Sequence, residues 1–233
     1  MKIIKRWMLV VFLGLITLNL YASPASPQAN VDYLILGTPQ PTNTGKKVEV
    51  IEFFGYFCGF CYTFDTPLAN WARKNSDRVA FKREAVVFNE GTRLQQRLFY
   101  TLAAMNKLTH QTHQKVFQAI QERRVHLGND SQVIDFAASL GVDRKAFSDM
   151  YQSSSIQAIT KNSEKMLDLY KINGVPMVII DGKYVTSPAI VAEGNKLNAD
   201  AEIYAATFKV MDWLVDQAYK NPAAAKKRKS GKK

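Results

Sequence analysis

Cys58 and Cys61 are the only two cysteines of the chain, and they stand three positions apart with Gly59 and Phe60 between them. At that spacing two thiols can form a disulfide with each other. The loop so closed is too small to constrain the unfolded chain much, so the pair reads as chemical rather than structural. The chemistry it suits is dithiol exchange. A cysteine at a helix start meets unpaired backbone N–H groups and the positive end of the helix dipole, and both stabilise a thiolate. The lowered pKa makes Cys58 the better nucleophile and leaving group. Cys61, one turn later and facing inward, can then resolve a mixed disulfide by attacking Cys58. Other uses of the pair fit less well. Haem attachment requires a histidine after the second cysteine, where this chain has Tyr62. A structural zinc site needs four ligands; the remaining candidates, His110, His113 and His126, fall in a helical region and read as solvated histidines. No metal and no cofactor is expected.

A third residue with chemical potential precedes the pair. Val48 to Phe54 (Val-Glu-Val-Ile-Glu-Phe-Phe) is β-branched and aromatic and apolar on both faces, the signature of a central strand. Period two places Glu52 beside Val48, Val50 and Phe54 on a face that should be buried. A buried carboxylate is either paired or functional, and Arg83 on the neighbouring strand is the candidate partner.

The elements that position these residues follow in order. A helix is expected from Cys58, with Cys61, Phe64, Leu68 and Trp71 at helical spacing and Pro67 kinking rather than ending it. Val79 to Phe88 is a further strand, so strand, helix and strand form a βαβ unit with a parallel pair and a right-handed crossover. The next eighty or so residues change to helical periodicity: Arg93 to Lys107, His113 to Arg123, Ser131 to Leu140 with Asp130 and Ser131 as caps, a short helix capped by Asp143, and Ser155 to Tyr170. Strand character returns in Val175 to Ile180 and Lys183 to Val185, and Asp181-Gly182 between them is a hairpin signal. Ala199 to Tyr219 closes the chain as an amphipathic helix.

The two ends carry most of the charge. Lys2, Lys5 and Arg6 precede an apolar run from Trp7 to Leu20 and the small residues Ala22, Ser23 and Ala25, which is the layout of a cleavable secretory signal. The run is short for a membrane span. Of the formal net charge of +11, three units lie in this leader and six in the tail from Lys226 to Lys233, leaving about +2 for the body. A body so nearly balanced, with no basic stripe, argues against nucleic-acid binding. The tail reads as a solvated, disordered end with weak attraction to anionic membrane surfaces as its sharper use.

Glu52-Phe53-Phe54, Cys58-Gly59-Phe60-Cys61-Tyr62, a helical insert and then Gly174-Val175-Pro176 before an Asp-Gly hairpin together resemble the DsbA family of bacterial periplasmic thiol:disulfide interchange proteins. The resemblance runs from about Val31 to Tyr219. It implies an α/β, thioredoxin-like fold with an inserted all-helical domain. The expected organisation is a leader over 1–25, a thioredoxin-like domain from 26–90 and 171–221, the helical insert over 91–170, and the basic tail over 222–233. It also implies a Cys58–Cys61 disulfide, with Cys58 as exposed nucleophile and Cys61 as resolving thiol. Pro176 is then expected after a cis peptide beside the disulfide, with the Val175 backbone presented to an extended substrate and Glu52 exchanging a proton with Cys61. The implied partners are reduced, unfolded secreted proteins and a quinone-linked membrane reoxidase of the DsbB type, met by a monomer in the periplasm. One departure matters. The best-known members carry Pro-His between the cysteines, whereas Gly59-Phe60 cannot donate a hydrogen bond from a side chain to the Cys58 thiolate, which implies weaker oxidising power. Phe60 would instead extend an apolar collar with Phe57 and Tyr56. The alternatives are a reductant or isomerase using the same pair and, from another class, a metal-binding carrier or chaperone. Val175 before Pro176, and the lack of a dimerisation region ahead of the fold, favour the oxidase.

Overall fold

The computed structural model describes residues 26–220. The proposed leader (1–25) and the basic tail (222–233) lie outside the described residues. At the centre is β2 (Val48–Phe54), whose seven residues are all buried, as its two-sided apolarity requires. Full burial of a valine, isoleucine or phenylalanine there stabilises the fold by about 1.5–3 kcal/mol each. It pairs in parallel with β3 (Val79–Ala85) and antiparallel with β4 (Met177–Ile180). The hairpin partner β5 (Tyr184–Thr186) and the short β1 (Leu34–Ile35) complete a sheet of order β1-β5-β4-β2-β3. In the hairpin turn Asp181 and Gly182 both take positive φ, 53° and 62°. A Cβ on Gly182 would also lie 2.2 Å from the Gln40 carbonyl oxygen, so glycine is needed twice over there.

Helix α1 (Gly59–Lys74) crosses over between β2 and β3 and runs through Pro67, as expected. Its apolar stripe packs Phe64, Leu68 and Trp71 with Val48 and Val50 of β2 and with Val210, Met211 and Leu214 of α8 (Asp200–Lys220). Between β3 and β4 the chain forms five helices: α2 (Glu90–Ala104), α3 (His110–Gln121), α4 (Asp130–Ser139), α5 (Arg144–Tyr151) and α6 (Ser154–Tyr170). Their shared core reaches back to the sheet through Phe54, Tyr56 and Cys61, so the second cysteine is packed by the helical insert as well as by its own helix. The opposite face of the sheet, Ile51, Phe53 and Ile179, is covered by Tyr170 and Ile172 at the end of α6.

Several boundaries move. β3 stops at Ala85, three residues before Phe88, although the Val86 N–H still donates to the Phe54 carbonyl at 2.9 Å. The cap of α4 is Asn129 rather than Asp130 or Ser131, and Asp143 caps α5 as predicted. β1 and α7 (Pro188–Asn195) are not among the expected elements. β1 has only two residues, both exposed, and offers no periodicity to read. α7 begins with Ser187 as N-cap and Pro188 in the first turn, a start signal that the sequence does carry.

Candidate active site

Strand β2 ends at Phe54, and the chain turns through Gly55, Tyr56 and Phe57 into α1. The Phe57 ring folds back over Gly55, so a Cβ there would lie 2.2 Å from a ring carbon and would displace the ring. Cys58 is the N-cap of α1, and its Sγ accepts a hydrogen bond from the Cys61 N–H at 3.1 Å. Both thiols are free in this structure, so the geometry is that of the dithiol form. Cys58 is half-buried and Cys61 fully buried. The Cys61 thiol and the backbone N–H groups of Cys61 and Phe60 hold the Cys58 pKa down, against the opposing effect of burial, to about 7. Burial drives the Cys61 thiol strongly the other way, helped by its proximity to Cys58. The pair is thus divided into a thiol that ionises near neutrality and one that holds its proton. Iodoacetamide added to the dithiol form is expected to alkylate Cys58 alone, at a rate rising through a midpoint at about pH 7. Mass-mapped alkylation at Cys61 would contradict that division.

The peptide between Val175 and Pro176 is cis. The Val175 carbonyl lies 3.4 Å from Cys58 Sγ and accepts from that thiol, while the Pro176 side is buried. Beside them opens an apolar groove of about 230 Å³, lined by Phe60, Val175, Pro176, Pro188, Ile203 and Tyr204. Phe60 is 72% exposed and stands on its rim. Phe57 is half-buried with its ring 5.9 Å from that of Phe88, which is exposed. Gly59 is exposed as well.

Two expectations are corrected. Tyr56 does not belong to an exposed collar: it is 1% exposed, its ring 4.9 Å from Phe117 and its hydroxyl 2.8 Å from His113 Nδ1. The helical insert closes over it, and no substrate chain can reach it. His113 is likewise not a solvated histidine but a buried one, whereas His110 is exposed.

Behind the cysteines lies a buried charge cluster. Glu52 pairs in register with Arg83, whose Nε donates to Glu52 Oε2 at 2.8 Å, so the partner is the one that strand pairing predicts. The other arm of Arg83 donates from Nη2 to Asp65 Oδ1 at 2.6 Å. Asp65 also accepts from the Gln114 side-chain amide, and His113 Nε2 lies 3.2 Å from it without a well-aligned hydrogen bond. Burial pushes Glu52 up to about 7, opposed by Arg83 and assisted by the Asp65 charge. Burial also raises Asp65, but His113, Arg83 and Gln114 together outweigh it and leave Asp65 below its ordinary value. Burial lowers His113, so its ring is neutral at pH 7. Sequence reasoning missed Asp65, His113 and Gln114. For Asp65 a signal exists: it lies four residues after Cys61, on the buried stripe of α1.

Residues 49–196 match the family described as DSBA-like thioredoxin domain. The thiol:disulfide interchange protein DsbA of Burkholderia cepacia is 36% identical over 210 residues, spanning 90% of this chain and 94% of the relative. That of Bordetella pertussis is 33% identical, spanning 87% and 91%. Among solved structures, the crystal structure of Pseudomonas aeruginosa DsbA superposes with a TM-score of 0.74 at 30% identity, covering 86% of this chain and 97% of that one.

Proposed function

The chain belongs to the DSBA-like thioredoxin domain family and is a thiol:disulfide oxidoreductase, and from that premise we propose that it works as an exported oxidase of folding proteins. Its substrates are proteins, and a redox partner must restore its active form. The observation that carries the oxidase reading is the division within the pair: Cys58 at a helix N-cap, half-buried and ionising near neutrality, and Cys61 buried with a raised pKa.

In the cycle that this supports, a substrate thiolate attacks Cys58 Sγ of the Cys58–Cys61 disulfide. The S–S bond between the two cysteines breaks, a substrate–Cys58 bond forms, and Cys61 leaves as a thiolate that takes a proton from Glu52. The substrate's second thiolate then attacks its own sulfur in the mixed disulfide, and Cys58 departs as a thiolate. The substrate leaves oxidised by two electrons and the enzyme is left as the dithiol. Cys58 is an apt leaving group because its thiolate is stabilised. Val175 offers a backbone carbonyl beside Cys58 for pairing with an extended chain, and Pro176 with Phe60 forms the wall against which an apolar substrate side chain packs. Phe57, its ring beside that of the exposed Phe88, adds apolar surface near the pair. Reoxidation would come from a quinone-linked membrane protein of the DsbB type. Export rests on the leader sequence before residue 26, and the enzyme acts as a monomer.

Gly59-Phe60 tempers the oxidising power. The Phe60 ring points into solvent and offers no hydrogen bond to Cys58, whose stabilisation comes from Cys61 and the backbone. The deciding measurement is the reduction potential of the pair equilibrated with a glutathione buffer. An oxidase requires a value well above that of thioredoxin, and one near about −270 mV would instead make the protein a reductant.

A further inference from the structure

Glu52 and Asp65 are 1% and 0% exposed, and both carboxylates reach for the same guanidinium. A buried site can hold one ion pair far more cheaply than an ion pair plus a second anion. One of the two must therefore keep its proton near neutral pH, and the surroundings decide which. Among the described residues the Glu52 carboxylate receives one hydrogen bond, from Arg83 Nε. From β4, the residue opposite it in register is the apolar Val178. Asp65 receives Arg83 Nη2 and the Gln114 amide, has His113 Nε2 at 3.2 Å, and has the exposed His110 with Nδ1 at 3.9 Å. A cavity of about 280 Å³ lined by Arg83, His110 and His113 opens on that side of the cluster. The anion is better served at Asp65 and the proton at Glu52.

We propose that Asp65 is a positioning residue for the exchange reaction: by holding one arm of Arg83, it denies Glu52 a full counter-charge and keeps on Glu52 the proton that Cys61 needs. This rests on the reading of Glu52 as the proton donor to Cys61. Besides Arg83, Asp65 is held by two residues of α3: Gln114, which donates to it, and His113, whose Nε2 stands 3.2 Å away. The helical insert thus acts, through Asp65 and Arg83, on the protonation of an acid of the central strand. The charged and titratable groups around Glu52 are Arg83 from β3, Asp65, Cys58 and Cys61 at the start of α1, and, beyond Asp65, His110 and His113 from α3. His113 is further tied to the Tyr56 hydroxyl. The directions of the shifts at Glu52 and Asp65 agree with the count of donors.

The test is the rate at which the disulfide form oxidises a reduced cysteine peptide, followed from pH 5 to 9 and divided by the peptide's thiolate fraction. The wild-type rate is expected to fall as pH rises through about 7, as Glu52 loses its proton. Asp65→Asn gives Arg83 wholly to Glu52, so the fall moves down by about one pH unit or more, and the rate at pH 7 drops about fivefold. Asp65→Glu keeps the charge and is expected to retain the wild-type midpoint. A midpoint unchanged by Asp65→Asn, with the fall abolished by Glu52→Gln, overturns the role of Asp65 alone. A fall that persists in Glu52→Gln overturns instead the role of Glu52 as donor. Carbon-13 titration of the wild-type carboxyl groups needs no variant to fold: Glu52 should titrate near pH 7 and Asp65 below the ordinary aspartate value, and the reverse order sinks the proposal.

Discussion

A Cys58→Ser variant is expected to lose interchange activity by at least about 10³-fold, the scale on which removal of a nucleophile is felt, while Cys61→Ser accumulates covalent adducts with its substrates. The two outcomes differ because the environments differ. Cys58 is the thiol that a substrate can reach, half-buried and beside the carbonyl of Val175, a residue that lines the groove. Cys61 is buried in the core shared with the helical insert, so with Cys58 gone the remaining thiol is inaccessible and holds its proton. With Cys61 replaced, Cys58 still ionises and still forms mixed disulfides, but nothing behind it can displace the substrate. Its pKa should also rise, since the Cys61 thiol is the largest influence lowering it, and the adducts therefore form more slowly at pH 6 than at pH 8. Non-reducing electrophoresis of each variant mixed with a reduced and partly oxidised substrate shows the difference directly. Normal turnover by Cys61→Ser would refute its resolving role.

Much of this site is legible in the sequence because it depends on short-range geometry. The spacing of Cys58 and Cys61 on a helix start, the alternation that buries Glu52 and the Asp181-Gly182 turn are all local patterns, and each is found where the pattern puts it. The Glu52–Arg83 pair was also within reach, because parallel strands joined by one crossover fix a register. What the sequence hides is the contact between the helical insert and the catalytic strand. His113 has the polar neighbours of a surface helix residue, and only the packing of α3 against Phe54 and Tyr56 buries it. Tyr56 fails for the same reason. Its place beside Phe57 and Phe60 suggests one continuous aromatic surface, but the turn after β2 sends Tyr56 inward under α3 and leaves Phe60 in solvent.

The buried cluster makes Arg83 the residue whose loss should cost the fold most. Arg83→Met removes the only cation hydrogen-bonded to Glu52 among the described residues, along with a guanidinium stacked 4.9 Å over the Phe81 ring. Two carboxylates buried to 1% and 0% exposure are left without it, and breaking a buried ion pair from one side typically costs about 3–5 kcal/mol. The loss should depend on pH in a definite direction. Without Arg83, Glu52, which burial already raises, rises further above its unfolded pKa, and Asp65 loses one of the groups that hold it down. The stability that protonated Glu52 contributes is fully present below its unfolded pKa and is lost as pH rises through the folded value, and the upward move of Asp65 acts in the same direction. Urea unfolding should therefore find the deficit of the variant larger at pH 8 than at pH 5. A deficit that is constant, or that grows towards acid, would mean that Arg83 acts through its packing on Phe81 rather than through its charge. Adding Glu52→Gln and Asp65→Asn to Arg83→Met should recover much of the lost stability, because a neutral cluster carries no unpaired charge. It should not recover interchange at the wild-type rate, since Glu52 would no longer hold a proton to give. Stability and activity would then part at the same three residues, as expected of a charge cluster kept for its chemistry.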